Sequence, residues 1–252
     1  MQAVYQQAMI YRLKKFSTLI FFIAVSLSLP VSMAVADTDK PLTVVELFTS
    51  QGCSSCPPAD AYLGELAALD ESRGILALSF HVDYWDNLGW KDPYSSAANT
   101  SRQRTYAQYM DLRYIYTPQM VVQGTLQGTG SDRQTIARQI KEARKLTTVD
   151  VHLQRNGSAV QVLLEDANRQ LNADIHMVIY DKEHTTSVKR GENSGKSITN
   201  RNVVRSVKKI GSWSGNKTSL SLPLDDSGDA CAVIIQSRAT GAILGAASIT
   251  IN

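Results

Sequence analysis

Two of the three cysteines in the 252-residue sequence stand close together, in Cys53-Ser54-Ser55-Cys56. Such a pair is either half of a zinc site or a dithiol that cycles with its disulfide. A structural zinc site needs four ligands, and no second pair of cysteines or histidines with similar spacing occurs. A disulfide-stapled scaffold would use more cysteines in a shorter chain. The cysteine usage therefore indicates redox chemistry.

The dithiol lies at a predicted junction between a strand and a helix. Residues 42–48 are apolar and rich in β-branched residues, which predicts a buried strand, and a helical pattern follows Pro57. A cysteine at a helix start has its sulfur near unpaired N–H groups and the positive end of the helix dipole, which stabilise a thiolate. We therefore expect Cys53 to be the attacking thiolate and Cys56 to be the resolving thiol.

The rest of the chain changes character near its middle. The first half alternates strand and helix patterns and includes an inserted loop and helix at about 83–110. The second half contains seven short β-rich runs, two of them joined by Asn156-Gly157, a strong hairpin signal. These patterns predict an α/β domain over residues 40–146, followed by a small all-β, sandwich-like domain over residues 147–252.

The order of these motifs resembles the thioredoxin superfamily. A strand, the Cys-x-x-Cys motif, a second strand and Thr117-Pro118-Gln119 before a third strand carry the resemblance. In that superfamily a cis-proline faces the dithiol and offers backbone contacts to an extended substrate. The resemblance thus implies a thioredoxin-like first domain, a cis Pro118, and substrate contacts from Thr117. It also implies a buried acid near the dithiol, for which Glu46 is the candidate.

A narrower resemblance covers nearly the whole chain after its first 36 residues. The segments ELFTSQGCSSCPPAD, HVDYWDNLGWKDPY, YTPQMVVQG and GENSGKSITNRNVVR are similar to an exported bacterial family, domain-of-unknown-function family 1223. That resemblance implies export and a thioredoxin-like fold, but no known substrate. Two departures from thioredoxin argue against a general reductase. Gly52 replaces the tryptophan before the first cysteine, and the insertion lengthens the path from Cys53 to Pro118.

The insertion carries the candidate side chains for substrate recognition. Its first part combines three acids with four large aromatic residues. These are Asp83, Tyr84, Trp85, Asp86, Trp90, Asp92 and Tyr94. Aromatic rings beside carboxylates suit a peptide or a cationic group, so Tyr84, Trp85 and Trp90 are predicted substrate contacts. The alternative is a lid that packs the same rings on the edge of the sheet.

Residues 1–36 have the order of a secretory signal peptide. Three basic residues precede an uncharged apolar run at 16–29, and a small-x-small cleavage pattern ends at Ala36. Cleavage would remove three of the 26 basic residues and none of the 23 acidic ones, leaving 23 of each. This balance gives no indication of nucleic-acid binding. The predicted location is the periplasm or the exterior, without stable membrane insertion, and an uncleaved signal anchor is the alternative.

These features predict an extracytoplasmic thiol–disulfide oxidoreductase that needs no cofactor. Its predicted partners are protein or small-molecule thiols and disulfides, with a membrane redox protein as a further candidate. One alternative is copper binding or delivery, because thiolates hold Cu(I) and His81, Asp83 and Asp86 follow on the next strand and loop. Another is a binding module without turnover. Cys231 lies in an apolar strand pattern and is predicted to be a small buried hydrophobe.

Overall fold

The computed structural model describes residues 41–69, 74–146, 148–224 and 227–251. The predicted signal peptide, residues 1–36, lies outside them. The elements follow the chain in the order β1 (Thr43–Thr49), α1 (Pro57–Leu69), β2 (Ile75–His81), α2 (Ala97–Tyr109), β3 (Gln119–Val122), β4 (Leu126–Thr129), α3 (Arg133–Ala143), β5 (Val151–Asn156), β6 (Ala159–Leu164), β7 (Ala173–Ser187), β8 (Ser197–Trp213), β9 (Thr218–Pro223), β10 (Ala230–Ser237) and β11 (Ile243–Thr250). None of these helices is long and apolar enough to cross a bilayer.

Eight strands of the described residues form one mixed sheet in the order β11-β10-β7-β8-β2-β1-β3-β4. β1 and β2 run parallel along their whole length, and α1 makes the crossover that parallel strands require. β8 lies parallel to the other edge of β2, where Val203 is paired with Ser79. The second half of the chain therefore extends the sheet that the first half begins.

The predicted fold class is wrong. An α/β thioredoxin-like domain followed by a separate small all-β domain was expected, whereas the described residues form a mostly β structure around one mixed sheet. A single apolar core contains Phe48 and Leu78 from the first half together with Tyr180 and Ile234 from the second. Sequence reasoning assumes that neighbouring strands are close in the chain. The pairing of β2 with β8 breaks that assumption.

Two further apolar cores complete the described structure. Helices α1 and α3 pack on one face of β1, through residues such as Leu47 and Leu63, and Tyr106 of α2 packs on the other face. The three-stranded sheet β5-β6-β9 packs on β7, β10 and β11, where Cys231 lies. Cys231 is fully buried and free, as predicted, and burial raises the pKa of its thiol to about 12.

The carboxyl ends of β1 and β2 lie side by side. Thr49, the last residue of β1, is paired in register with His81, the last residue of β2. Residues 50–56 then turn from β1 into α1, so the dithiol lies at this edge of the sheet. Sheets with parallel strands commonly place their reactive groups at the carboxyl ends of those strands.

Candidate redox site

Cys53 and Cys56 form a disulfide immediately before α1, with their Cα atoms 5.4 Å apart. The predicted pairing of these two cysteines is therefore confirmed. Both residues are fully buried. The hydroxyl oxygen of Ser55 lies 3.3 Å from Cys53 Sγ, within reach of the sulfur that is predicted to carry the thiolate. The carbonyl of Cys56 accepts the N–H group of Asp60, which ties the second cysteine to the first turn of the helix.

The peptide bond between Thr117 and Pro118 is cis, as predicted. Trp85 Nε1 donates a hydrogen bond of 2.8 Å to Thr117 Oγ1. Trp85 also lies against the segment before the dithiol, because a Cβ at Gly52 would be 3.4 Å from its Cβ. Trp85 thus bridges the dithiol segment and the proline segment. The part that Thr117 and Pro118 play in substrate binding stays a prediction.

Glu46 lies on the face of the sheet that is opposite α1. Residues alternate between faces along a strand, and Glu46 shares its face with Phe48, which packs toward α2. Glu46 Oε1 is 2.7 Å from Arg102 Nη2, and Glu46 is fully buried. Burial alone would lower the pKa of Arg102, but the carboxylate of Glu46 beside it raises that pKa above its ordinary value. Glu46 therefore belongs to an ion pair with α2.

Asp60 is a buried carboxylate in the helix that follows the dithiol, and sequence reasoning missed it. It lies in the first turn of α1, four residues after Cys56, and its N–H group bonds to the carbonyl of Cys56. Thr49 Oγ1 donates to Asp60 Oδ1 over 2.9 Å. Burial raises the pKa of Asp60 to about 6, against the lowering effect of charge on His81. The spacing of four residues from Cys56 is the signal that could have found it.

A second buried pair holds the loop that carries the dithiol. His81 Nδ1 lies 2.7 Å from Asp92 Oδ2, and both side chains are fully buried. The same carboxylate oxygen accepts the N–H group of Gln51 over 2.7 Å. Burial alone would raise the pKa of Asp92, but His81 and the hydrogen bonds lower it. Asp92 therefore fixes the backbone two residues before Cys53.

The aromatic residues that are predicted to contact substrate are half-buried. Trp90 Nε1 donates to Gln51 Oε1 over 3.3 Å, which places Trp90 at the loop that carries the dithiol. Tyr84 instead donates from its hydroxyl to Gln103 Oε1 of α2, and burial raises its pKa to about 12. The structure thus brings Trp85 and Trp90 to the dithiol loop and directs the Tyr84 hydroxyl to α2. Their role in recognition stays a prediction.

The residues of the copper alternative do not converge on the dithiol. Asp83 and Asp86 accept hydrogen bonds from hydroxyl groups in α2 and in the loop before it. His81 is bound to Asp92 through Nδ1. Within the described ranges, no group of three or more His, Cys, Asp or Glu side chains is placed to hold a metal ion.

The loop between β7 and β8, residues 188–196, reaches the dithiol from the far half of the chain. Asn193 Nδ2 donates to the carbonyl oxygens of Gln51, over 3.0 Å, and Cys53, over 2.9 Å. A carboxylate oxygen of Glu192 accepts the N–H group of Ser54 over 3.0 Å. Asn193 is fully buried although its loop is polar. No local pattern marks this contact, because 140 residues separate Asn193 from Cys53.

Solved structures of other proteins have a similar fold. The structure of protein AGR_C_4864 from Agrobacterium tumefaciens is 32% identical, with a TM-score of 0.73 over 84% of this chain and 96% of that one. HBP35 of Porphyromonas gingivalis is similar in fold alone, at 12% identity and a TM-score of 0.58 over 84% of this chain and 76% of that one. No curated protein matches the sequence. Residues 44–236 match the family described as protein of unknown function, DUF1223, and the chain therefore belongs to that family.

Proposed function

We propose that the protein is a thiol–disulfide oxidoreductase that acts outside the cytoplasm. The observation that carries the proposal is the disulfide between Cys53 and Cys56 at the start of α1. The proposal rests on this site and not on a thioredoxin-like domain. The signal-peptide pattern of residues 1–36 supports export, to a compartment where such a couple can persist in its oxidised form.

The chemistry is a two-electron exchange between dithiol and disulfide. In the reducing direction, the thiolate of Cys53 attacks one sulfur of a substrate disulfide, forms a mixed disulfide and releases the other substrate sulfur as a thiolate. The deprotonated Cys56 then attacks the sulfur of Cys53, which closes the internal disulfide and releases the second substrate thiolate. The reverse sequence oxidises a substrate dithiol. The direction depends on the reduction potentials of the couple and its partner.

Two features of the site support Cys53 as the attacking sulfur. It precedes α1, whose first N–H groups have no partners within the helix and carry partial positive charge. The hydroxyl of Ser55, 3.3 Å from its sulfur, can donate to a thiolate. Cys56 directly precedes α1, with its carbonyl bonded into the first helical turn, which suits a resolving thiol.

An exchange assay with matched cysteine variants tests the proposal. The reduced protein is mixed with a small aromatic disulfide and a chelator, and the single release of coloured thiol as the protein is oxidised is followed. We expect Cys53→Ser to abolish this release and Cys56→Ser to stop at one mixed disulfide per protein. The control is Cys231→Ala, which removes the third sulfur without touching the site. Equal rates in all variants would contradict the proposal, and activity that vanishes with the chelator would support the copper alternative.

A further inference from the structure

In the proposed function the sulfur of Cys53 must meet a substrate, yet neither cysteine of the pair has exposed surface. Residues 188–196, which we name the covering loop, contact the backbone of the dithiol segment at Gln51, Cys53 and Ser54. We propose that the covering loop is a hinged cover, latched by Asn193, that must leave the dithiol segment before either sulfur can react. This inference rests on the proposed function, and it concerns substrate access rather than the exchange itself.

The side-chain amide of Asn193 can hold the covering loop to the dithiol segment through hydrogen bonds. Its amide nitrogen carries two hydrogens, and two carbonyl groups of the dithiol segment accept from it. Its amide oxygen accepts from Lys196 Nζ over 2.9 Å, so the side chain is bonded at both ends. Asn193 is fully buried, and a buried carbonyl left without a donor costs free energy. An aspartate cannot replace it, because an ionised carboxylate has no hydrogen to donate.

Glu192 adds a second contact, which depends on the redox state. Its carboxylate accepts the Ser54 N–H group, next to Cys53 and just before α1. A thiolate at Cys53 would be stabilised by the same positive region and would be repelled by the carboxylate. The cover is therefore held more tightly over the disulfide than over the reduced dithiol.

The backbone of the covering loop suits movement as a unit. Gly191 and Gly195, at φ values of 74° and 81°, flank residues 192–194. Glycine adopts this left-handed conformation without steric cost, so both positions can act as hinges. Within the loop, the N–H groups of Ser194 and Lys196 bond to carbonyls of the loop itself. Opening therefore breaks the three hydrogen bonds to the dithiol segment but preserves the internal turn.

The test measures access to the disulfide without any need for catalysis. Oxidised protein is reduced with a small phosphine, and free thiols are counted over time at increasing phosphine concentration. We expect the wild-type rate to level off at the rate of opening. Asn193→Ala should raise the rate about tenfold, which corresponds to roughly 1.4 kcal/mol of weaker closure. The control is Ser194→Ala, which should match the wild type because its hydroxyl bonds to Lys189 within the loop.

Equal rates for the wild type and Asn193→Ala would overturn the proposal. Circular dichroism first establishes that each variant folds. If Asn193→Ala does not fold, Glu192→Ala takes its place, since Glu192 is exposed and its loss removes one contact to Ser54. An unchanged rate in that variant would also overturn the cover. Because phosphine reduction needs no turnover, a faster Asn193→Ala variant establishes the cover even where the cysteine assay fails.

Discussion

Thr49 Oγ1 donates a hydrogen bond of 2.9 Å to Asp60 Oδ1, which joins the end of β1 to the first turn of α1. Both residues are buried, and Asp60 has only 3% of its surface exposed. Desolvation dominates over this hydrogen bond and over charge on His81, so the neutral carboxyl is favoured. Asp60 is thus an acid whose ionisation at neutral pH opposes folding.

Asp60→Asn should make the protein more stable at pH 7. Because the pKa of Asp60 is about 6 in the folded state and 3.8 in the reference state, the folded protein binds more protons between these values. Wild-type stability therefore falls as pH rises through this range, by an amount on the order of 3 kcal/mol. We expect urea unfolding to show a gain of that order for the variant at pH 7 and none below pH 4. A loss at pH 7 would show that the charged form is stabilised.

Asp92→Asn should destabilise the protein at neutral pH, where Asp60→Asn should stabilise it. His81 and the backbone of Gln51 both depend on the charged carboxylate, and breaking a buried pair costs about 3 kcal/mol. The pKa of Asp92 is lowered in the folded state, so its contribution is present at neutral pH and is lost as pH falls through that pKa. Thermal unfolding at neutral and acidic pH measures the difference. Asp111→Asn, an exposed change, is the control and should have no effect.

The two cysteines should differ in reactivity once they are reduced. Single-cysteine proteins are made by combining Cys231→Ala with either Cys56→Ser or Cys53→Ser, and alkylation is followed against pH. We expect the protein that retains Cys53 to react faster at neutral pH, because the helix start and Ser55 stabilise its thiolate. Faster alkylation of the protein that retains Cys56 would reverse the assigned roles.

Glu192→Gln should lower the pKa of the Cys53 thiol. The substitution removes a negative charge beside Ser54 but keeps an oxygen that can accept its N–H group. Ultraviolet absorbance of the thiolate against pH measures the shift in protein that lacks the other two cysteines. Glu142→Gln, on the exposed surface of α3, is the control and should leave the titration unchanged. An unchanged titration in Glu192→Gln would show that the carboxylate does not act on the sulfur.

Gly124→Ala should destabilise the protein far more than Gly157→Ala. Both glycines have positive φ, at 72° and 60°, which costs about 1 kcal/mol for alanine. A Cβ at Gly124 would also collide with the carbonyl oxygen of Gly241, whereas nothing lies within 4 Å at Gly157. We expect an additional loss of roughly 2 kcal/mol at Gly124 from this overpacking. Chemical unfolding measures the free energy of unfolding of both variants. Equal losses of stability would contradict the expected collision with the Gly241 carbonyl.

Much of the local structure is readable from the sequence. The seven β-rich runs of the second half all contain strands, and the hairpin that Asn156-Gly157 predicts is present, with its turn at Gly157-Ser158 because Asn156 is paired with Ala159. Every second residue of β6 is buried, which is the alternation that predicts a strand from its sequence. Strands β7 and β8 are longer than the predicted runs 174–181 and 203–210. The added residues beside the covering loop are mostly polar and partly exposed, so they lack the apolar pattern that predicts a strand. The pairing of the strands was not predicted, since one of the two partners of β2 is β8, a strand far along the chain.

At the candidate site, too, the residues in local motifs are predicted and the long-range contacts are not. Cys53, Cys56 and Pro118 are found because a short motif or a resemblance marks them. Asp92 is named only as one of the acids of the insertion, and Asn193 is not named as a site residue, since their contacts with the dithiol segment span 41 and 140 residues. Their residue types are common in polar loops, so only the three-dimensional structure distinguishes a buried contact from a solvated one.

The late position of β8 and the covering loop has a consequence for biosynthesis. A chain is made from its amino terminus, so Cys53 and Cys56 emerge well before Asn193, which bonds to the backbone of their segment. The edge of β2 stays unpaired until β8 has been synthesised, and the first half cannot complete its core before then. The two thiols are therefore open to any oxidant that meets the growing chain. The hydrogen bonds from Asn193 to their segment form only when the last third of the protein has folded.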